Sequence, residues 1–480
     1  MSAATLTLLS LPIFASFASF GVRSRRGFAE ALGVIVGTIE LVLALFIAFS
    51  QLSGASSDPR AFILFDPLGS LFLVIICVLG FSGLIYSSSY LAREVADGAI
   101  GPTRVRQYYA LFHAFMFSMF LAAGSNNMIL LWIAIEATTL ASAFLISFFD
   151  RPASIEAAWK YIVINSVALL LGLFGVFLMA AAIDRAGMPL SFDPSVLGGL
   201  GGMLPAALIQ MAFVFILIGY ATKAGFAPMH TWLPDAHSQA PVPVSAMLSG
   251  ALLNIAFLGI LRFKGVADAT LGGDFAATAL LVFGILSVSI AAIFILIQRQ
   301  YKRLLAYSSI EHMGLIAIGM GLGGAAAVAA LLHALYHSLA KSMLFLASGN
   351  IAHRYHSLEI ADVRGLLKSM RITGPIFFIG LLAVMGLPPF GTFMTKFAIL
   401  AALFEQHLAL GIAAVIALAL AVAGFMRHAS QIFFGDADGK EPERGDLARS
   451  APLILLGLSL VILGTWVPEP LVALVRAAAL

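Results

Sequence analysis

At 480 residues, 61% hydrophobic and only 11% charged, with mean hydropathy +1.01, the chain lies far outside the composition of soluble globular domains and reads as a polytopic membrane protein. Its single cysteine, Cys77, excludes intrachain disulfides, cysteine-ligated iron–sulfur clusters and CxxC metal sites, and no cofactor or metal is expected in the chain itself. The net charge of +3 comes without a basic patch interleaved with aromatics, so nucleic acid is not a partner.

A spanning helix needs about 20 apolar residues, and runs of that length number about fourteen, which makes the fold all-α. They lie near 3–22, 27–52, 61–90, 107–123, 127–149, 155–183, 203–224, 243–262, 273–297, 304–322, 324–351, 372–405, 408–433 and 450–468. The third, eleventh and twelfth are long enough to be bent or broken. The first has no basic residue before its apolar core, so it reads as a retained span and not as a cleaved signal peptide. Most connections are short, the long polar ones being 92–106 and 436–450.

The basic residues are unevenly distributed over the connections. Odd-numbered loops hold 18 of them, including Arg23, Arg25, Arg26, Arg104, Arg151, Lys302, Arg303, Arg354, Lys440 and Arg444. Even loops and the C-terminal tail hold five: Arg60, Arg185, Arg262, Lys264 and Arg476. The positive-inside rule then puts the odd loops in the cytoplasm and both termini outside. The remaining four cations, Lys160, Lys223, Lys341 and Lys396, fall within spans. All are lysines, which can lose a proton when desolvated, whereas arginine effectively cannot.

Charged residues inside a membrane are costly and by default functional candidates. Glu40 lies mid-way along the second span, suited to a lateral subunit contact or a local hydrogen bond. Glu136 is the only carboxylate of the fifth span. Placed about 6 Å from a lysine at an effective dielectric near 20, it would contribute about 3 kcal/mol of Coulomb attraction, enough to control a proton. Lys160, near the start of the sixth span, could serve there or snorkel to the interface.

The seventh span closes on Lys223, and Pro228 follows five residues later. A proline there interrupts the helix and frees the carbonyls of the preceding turn. Such a break beside an intramembrane charge is how transporters build ion sites. His230, Asp235 and His237 follow in a polar loop that could line an exit or tie the loop down. His113 and Asn254 are in-span polar residues suited to interhelical hydrogen bonds, and Glu311 and His312 lie where they could cap or pair near a helix start.

In the eleventh span His333, His337 and Lys341 recur every four residues and share one stripe, which suits a hydrated proton relay. Lys396 follows a second break at Pro388 and Pro389, echoing the seventh span. The carbonyl end of a half-helix should favour an ammonium at 223, and the N–H end should disfavour one at 396. Two broken spans five helices apart suggest an internal, inverted duplication, helices 4–8 (107–262) and helices 9–13 (263–434), between N-terminal helices 1–3 (1–106) and a last helix (435–480).

With KAGFAPMHTWLPDAHSQAPVPVSAMLSG, LLWIAIEATTL, YKRLLAYSSIEHMG, HSLAKSMLFLASGNI and GLPPFGTFMTKF, the chain resembles the antiporter-like membrane subunits of respiratory complex I, multisubunit cation/proton antiporters and group 4 membrane hydrogenases. EAAWKY, SSIEHMG and HSLAKSMLFLASGNI are most similar to the hydrogenase branch. The resemblance implies fourteen core helices in two inverted five-helix repeats with broken helices 7 and 12. It assigns a proton path to Glu136, Lys223, His333, His337, Lys341 and Lys396, with Lys160 and His312 in secondary roles. Asn254 departs from it, standing where many relatives place a lysine or histidine.

The expected function is proton translocation within a multisubunit redox-driven complex of the inner (cytoplasmic) membrane of a prokaryote. The partners would be further membrane subunits and a peripheral iron–sulfur, hydrogenase-like or quinone-reducing arm. The chain itself is expected to carry no redox centre. Alternatives are Na⁺(K⁺)/H⁺ exchange, energised bicarbonate or CO₂ uptake, and a membrane anchor that conducts nothing.

Overall fold

The computed structural model describes residues 2–21, 26–53, 61–435 and 447–479. Arg23, Arg25, Arg60, Lys440 and Arg444 lie outside the described residues, as do the side chain of Arg26 and most of the 436–450 connection.

The principal helices are α1 (Ala3–Gly21), α2 (Arg26–Leu52), α3 (Pro67–Ala96), α4 (Pro102–Ala123), α5 (Met128–Ile146), α6 (Pro152–Arg185), α7a (Ala206–Ala224), α7b (Trp232–Gln239) and α8 (Val242–Leu271). They continue as α9 (Asp274–Ile297), α10 (Tyr301–Leu322), α11 (Gly324–Tyr355), α12a (Thr373–Met385), α12b (Gly391–Gln406), α13 (Leu408–Phe433), α14a (Leu447–Thr465) and α14b (Glu469–Ala479). Among the described residues ten helices are long and apolar enough to cross a membrane, and the α14 pair, bent by 79°, would add an eleventh. The other three of the expected spans, α4, α10 and the broken α12, form as helices but carry more polar residues or shorter apolar halves.

Local chemistry sets the helix ends. Asp66 caps α3 by accepting from the Gly69 N–H at 2.8 Å, with Pro67 at the first helical position, and Asn127 caps α5 by accepting from Ile129 and Leu130. The two expected breaks share one C-cap. At the end of α7a, Gly225 has φ +80°, the Phe226 N–H donates to Ala221 O at 2.9 Å, and the Gly225 N–H donates to Thr222 O at 3.1 Å. At the end of α12a, Gly386 has φ +80°, with Leu387 donating to Leu382 O at 3.1 Å and Gly386 to Ala383 O at 3.0 Å. Each is a Schellman motif, in which a left-handed glycine turns the chain and satisfies the carbonyls that a plain break would leave free.

Three features differ from the sequence reading. α3 and α11 run unbroken for 30 and 32 residues, because neither contains an internal proline, and the one left-handed glycine, Gly324 at φ +53°, stands at the first position of α11 and not inside it. α8 holds a π-helical turn, Leu248–Leu252, just before Asn254. Beyond Thr465 the chain does not trail off but turns into α14b, which packs against α3 and α11.

α8 and α11 form the interior: 94% and 89% of their apolar windows are buried, against 33% for α1 and α13. Large apolar side chains such as Phe17, Phe46 and Val282 are exposed on the outer helices, the arrangement expected of a membrane bundle, while α8 and α11 bury polar residues such as Asn254, His333 and Lys341.

Candidate functional site

Lys223 is fully buried at the end of α7a. Its ammonium does not turn back to the helix carbonyls, since Thr222 O is taken by the Trp232 indole N–H at 2.8 Å as well as by the cap. It reaches across to α5 and α6, donating to Thr139 Oγ1 at 2.7 Å and to the Tyr161 hydroxyl at 2.6 Å. Glu136, half-buried on α5, accepts from Ser166 Oγ at 2.6 Å and from Thr139 Oγ1 at 3.5 Å. The expected Glu–Lys pair is therefore bridged by a threonine hydroxyl.

The stripe on α11 faces α10. His312 lies between the two α11 histidines, its ring stacked at 4.9 Å on both His333 and His337. His312 Nδ1 is 2.8 Å from His333 Nε2, and His333 Nδ1 is 2.7 Å from Thr395 Oγ1 on α12b. Lys341, one turn beyond His337, donates to Leu305 O at 2.7 Å and to Ser308 Oγ on α10. All four side chains are fully buried. Among the described residues no three His, Cys, Asp or Glu side chains converge as a metal site.

Lys396 reverses the expectation drawn from half-helix ends. It sits on α12b but folds back over the end of α12a, donating to Val384 O at 3.0 Å and Met385 O at 3.5 Å, the carbonyls left over by the Schellman cap. It also pairs with Glu311 Oε1 of α10 at 2.8 Å. Carbonyls and a carboxylate thus surround Lys396, while neutral hydroxyls surround Lys223.

Glu311 was not singled out by the sequence as part of the path. The SSIEHMG run reads as a helix start, whereas Tyr301–Leu322 places Glu311 mid-helix and 1% exposed. Thr139, Tyr161 and Thr395 were missed because hydroxyls in apolar helices are common.

Over residues 125–421 the chain matches the family described as "NADH:quinone oxidoreductase/Mrp antiporter, TM". The chain belongs to this family. It is 37% identical over 420 residues to the "Hydrogenase-4 component F homolog" of Methylacidiphilum infernorum (isolate V4), covering 85% of each chain. It is 29% identical over 389 residues to the chloroplastic NAD(P)H-quinone oxidoreductase subunit 5 of Nuphar advena, where it covers 76% of its own length but only 50% of that protein. The fold is similar to a chain of the membrane-bound sulfane sulfur reductase, an archaeal respiratory membrane complex, with TM-score 0.87, 23% identity and coverage of 100% and 97%.

Within this antiporter-type fold the remaining candidates separate. Lys160 lies at the surface, its side chain 47% exposed, paired with Glu156 at 2.7 Å and Asp235 at 3.2 Å. Asp235 also pairs with Arg303, so it ties α6, α7b and α10 together. Asn254 donates to Gly250 O at 2.8 Å and to Ser338 Oγ on α11 at 2.9 Å, the interhelical bond expected of it. His113 and Glu40 are fully buried and have no hydrogen-bond partner among the described residues, so the interhelical bond expected of His113 and the local bond that was one reading of Glu40 do not form there.

Proposed function

We propose that this chain is a proton-translocating, antiporter-like subunit of a multisubunit redox-driven membrane complex, of the membrane-hydrogenase or NADH-quinone oxidoreductase type. The observation that carries this reading is the buried line from Lys341 through His337, His312 and His333 to Thr395, ending at the Lys396–Glu311 pair. Each member can take up and release a proton or pass one through a hydroxyl, and a buried polar line of this kind has no role in packing that apolar residues would not fill at lower cost.

The two carboxylate–lysine pairs support division into the repeats 107–262 and 263–434. Each carboxylate stands on the second helix of its repeat and each lysine on the fourth, beside the shared glycine-capped break. Protons would enter near Glu136 and Lys223 and leave near Lys396. The likeness to a hydrogenase-4 component supports a complex in which other membrane subunits and a peripheral iron–sulfur arm, hydrogenase-like or quinone-reducing, supply the driving energy. The membrane would be the cytoplasmic membrane of a prokaryote, with the basic-rich loops inside and both termini outside.

The test is proton flux into proteoliposomes of the whole complex under an imposed diffusion potential. Lys341→Ala and Lys396→Ala should each lower it at least tenfold, independently of sodium. Flux that persists in both variants, or that requires sodium, refutes the reading.

A further inference from the structure

α1 and α5 both pack on α4, and the groove between them has a volume of about 630 Å³. One end of it is formed by the close of α1, the start of α4 and the close of α5, on the side of the basic-rich loops. Arg104, Gln107, Ser147 and Asp150 stand at that end. Away from it the lining turns apolar, with Leu111 and Ala114 of α4 as the floor and the exposed rings of Phe17 and Phe144 as the flanks. The run from Arg104 to Ala114 is ten residues of helix, about 15 Å long, which is half of a hydrocarbon core of about 30 Å. The groove thus spans one leaflet, polar at the membrane surface and apolar towards the bilayer centre.

The charged end carries both signs. Arg104 of α4 and Asp150 of the α5–α6 turn form an ion pair whose side chains remain 37% and 63% exposed, so both can be reached from the membrane surface. The Arg104 guanidinium lies 6.0 Å from the centroid of the Phe148 ring, which steadies it beside the groove. Asp150 has φ +52°, a left-handed conformation that strains a residue with a side chain and that glycine adopts freely. The turn alone would favour glycine there, and an ion pair this exposed contributes little to stability. The position keeps a carboxylate all the same, and strain of this kind points to a role for the side chain.

A guanidinium beside a carboxylate matches a headgroup that carries a phosphate beside a primary ammonium. An anionic headgroup would satisfy Arg104 and set its charge against Asp150, and a choline headgroup has no N–H to donate. We propose that the groove is a binding site for a phospholipid of the basic-loop leaflet with a net-neutral, primary-ammonium headgroup, a phosphatidylethanolamine. Its phosphate accepts from Arg104, its ammonium donates to Asp150, and one acyl chain runs along α4 between Phe17 and Phe144. Gln107 and Ser147 stand at the level of the glycerol esters and can donate to them. The inference is independent of the proton path, none of whose residues is among those lining the groove.

The test is photo-crosslinking of the whole complex in lipid nanodiscs, using a phosphatidylethanolamine with a diazirine on its acyl chain and mass spectrometry of the labelled peptides. Label should fall on the 107–114 stretch of α4. Unlabelled phosphatidylethanolamine should compete about fivefold better than phosphatidylcholine or phosphatidylglycerol with the same chains, the effect of one exposed ion pair. Asp150→Gly removes the carboxylate and relieves the left-handed backbone, so its effect falls on the headgroup and not on the fold. It should turn the preference towards phosphatidylglycerol by about the same factor. Ala114→Trp fills the far end of the groove without touching the ion pair, and should lower labelling severalfold whatever the headgroup. Absence of label on α4, as when another subunit covers the groove, overturns the proposal. Equal competition by the three lipids, a preference unchanged in Asp150→Gly, or labelling unchanged in Ala114→Trp overturns it as well.

Discussion

Lys396 and Glu311 form a buried ion pair, Nζ to Oε1 at 2.8 Å, where Lys223 and Glu136 are joined only through the hydroxyl of Thr139. The two pairs occupy corresponding positions along the chain yet differ in how tightly the charges are held. At the far end the lysine is held by a carboxylate and two main-chain carbonyls, so a proton leaving there must part a salt bridge. At the near end the lysine can exchange partners among hydroxyls with little rearrangement. The tight pair fits the role of a terminal gate and the loose pair that of a responsive entry.

Removing the carboxylate tests the gate. Glu311→Gln keeps the size and one acceptor for Lys396 but removes the charge, and should lower proton flux tenfold or more. Breaking a buried ion pair by removing one partner typically costs about 3–5 kcal/mol, and glutamine should lie at or below the lower end because its amide oxygen still accepts from the ammonium. Thermal unfolding of the purified complex and flux in proteoliposomes read the two effects separately, and Glu311→Asp should recover part of the flux.

The Thr139 bridge makes a sharper claim, because valine matches threonine in shape and lacks the hydroxyl. Thr139→Val should leave assembly intact and lower flux a few-fold, as should Tyr161→Phe, which removes the other hydroxyl that accepts from Lys223. The double variant should lose more than the product of the two, since either hydroxyl alone can still hold the ammonium. Strict multiplicativity of the losses would show that the two hydroxyls do not share Lys223.

Much of this was legible in the sequence for a physical reason: intramembrane charge is rare and expensive, so Glu136, Lys223, Lys341 and Lys396 announce themselves in apolar runs. The breaks were legible because glycine and proline punctuate helices. The partners were not. Glu311 hides in a polar run whose helix boundary is uncertain by a turn, and its pairing with Lys396 joins residues 85 apart through tertiary packing. The Schellman caps, and the Trp232 indole that removes Thr222 O from Lys223, likewise depend on where the chain goes after the glycine. The half-helix argument failed there: it assumed free carbonyls at 223 and none at 396, and the folded chain arranges the opposite.

Gly386 is fixed by two requirements at once. Its φ of +80° disfavours any side chain, and an added Cβ would stand 2.8 Å from Lys396 Cδ. Gly386→Ala should therefore cost about 1–2 kcal/mol in backbone conformation alone and also displace the lysine from Val384 and Met385. Flux should fall with it, whereas Gly265→Ala, where nothing stands within 4 Å of an added Cβ, should leave flux unchanged.

Lys160 should behave as a surface residue. Its side chain is about half exposed and shares Asp235 with Arg303, so Lys160→Ala leaves that carboxylate still paired. Exposed pairs contribute little and are screened by salt. Proton flux in Lys160→Ala should stay within a factor of two of the parent at all salt concentrations, and a tenfold loss would return Lys160 to the path.

The histidine column has a direction that can be tested at its last member. Thr395 Oγ1 lies 3.0 Å from Gly391 O and 3.2 Å from Thr392 O, and its hydroxyl hydrogen goes to one of these carbonyls. Towards His333 it can then only accept, so His333 Nδ1 carries the hydrogen and Nε2 is the acceptor. His312 Nδ1 must donate to that acceptor, which leaves His312 Nε2 as a bare acceptor beside His337. The neutral column is thus polarised towards Thr395 and Lys396, ready to take a proton at the His337 end. Thr395→Val removes the acceptor that fixes this order and should lower flux several-fold, with Thr395→Ser restoring it. Nitrogen-15 chemical shifts of His333 should show the Nδ1–H tautomer in the parent and a loss of that preference in Thr395→Val; an unchanged tautomer with unchanged flux would remove Thr395 from the line.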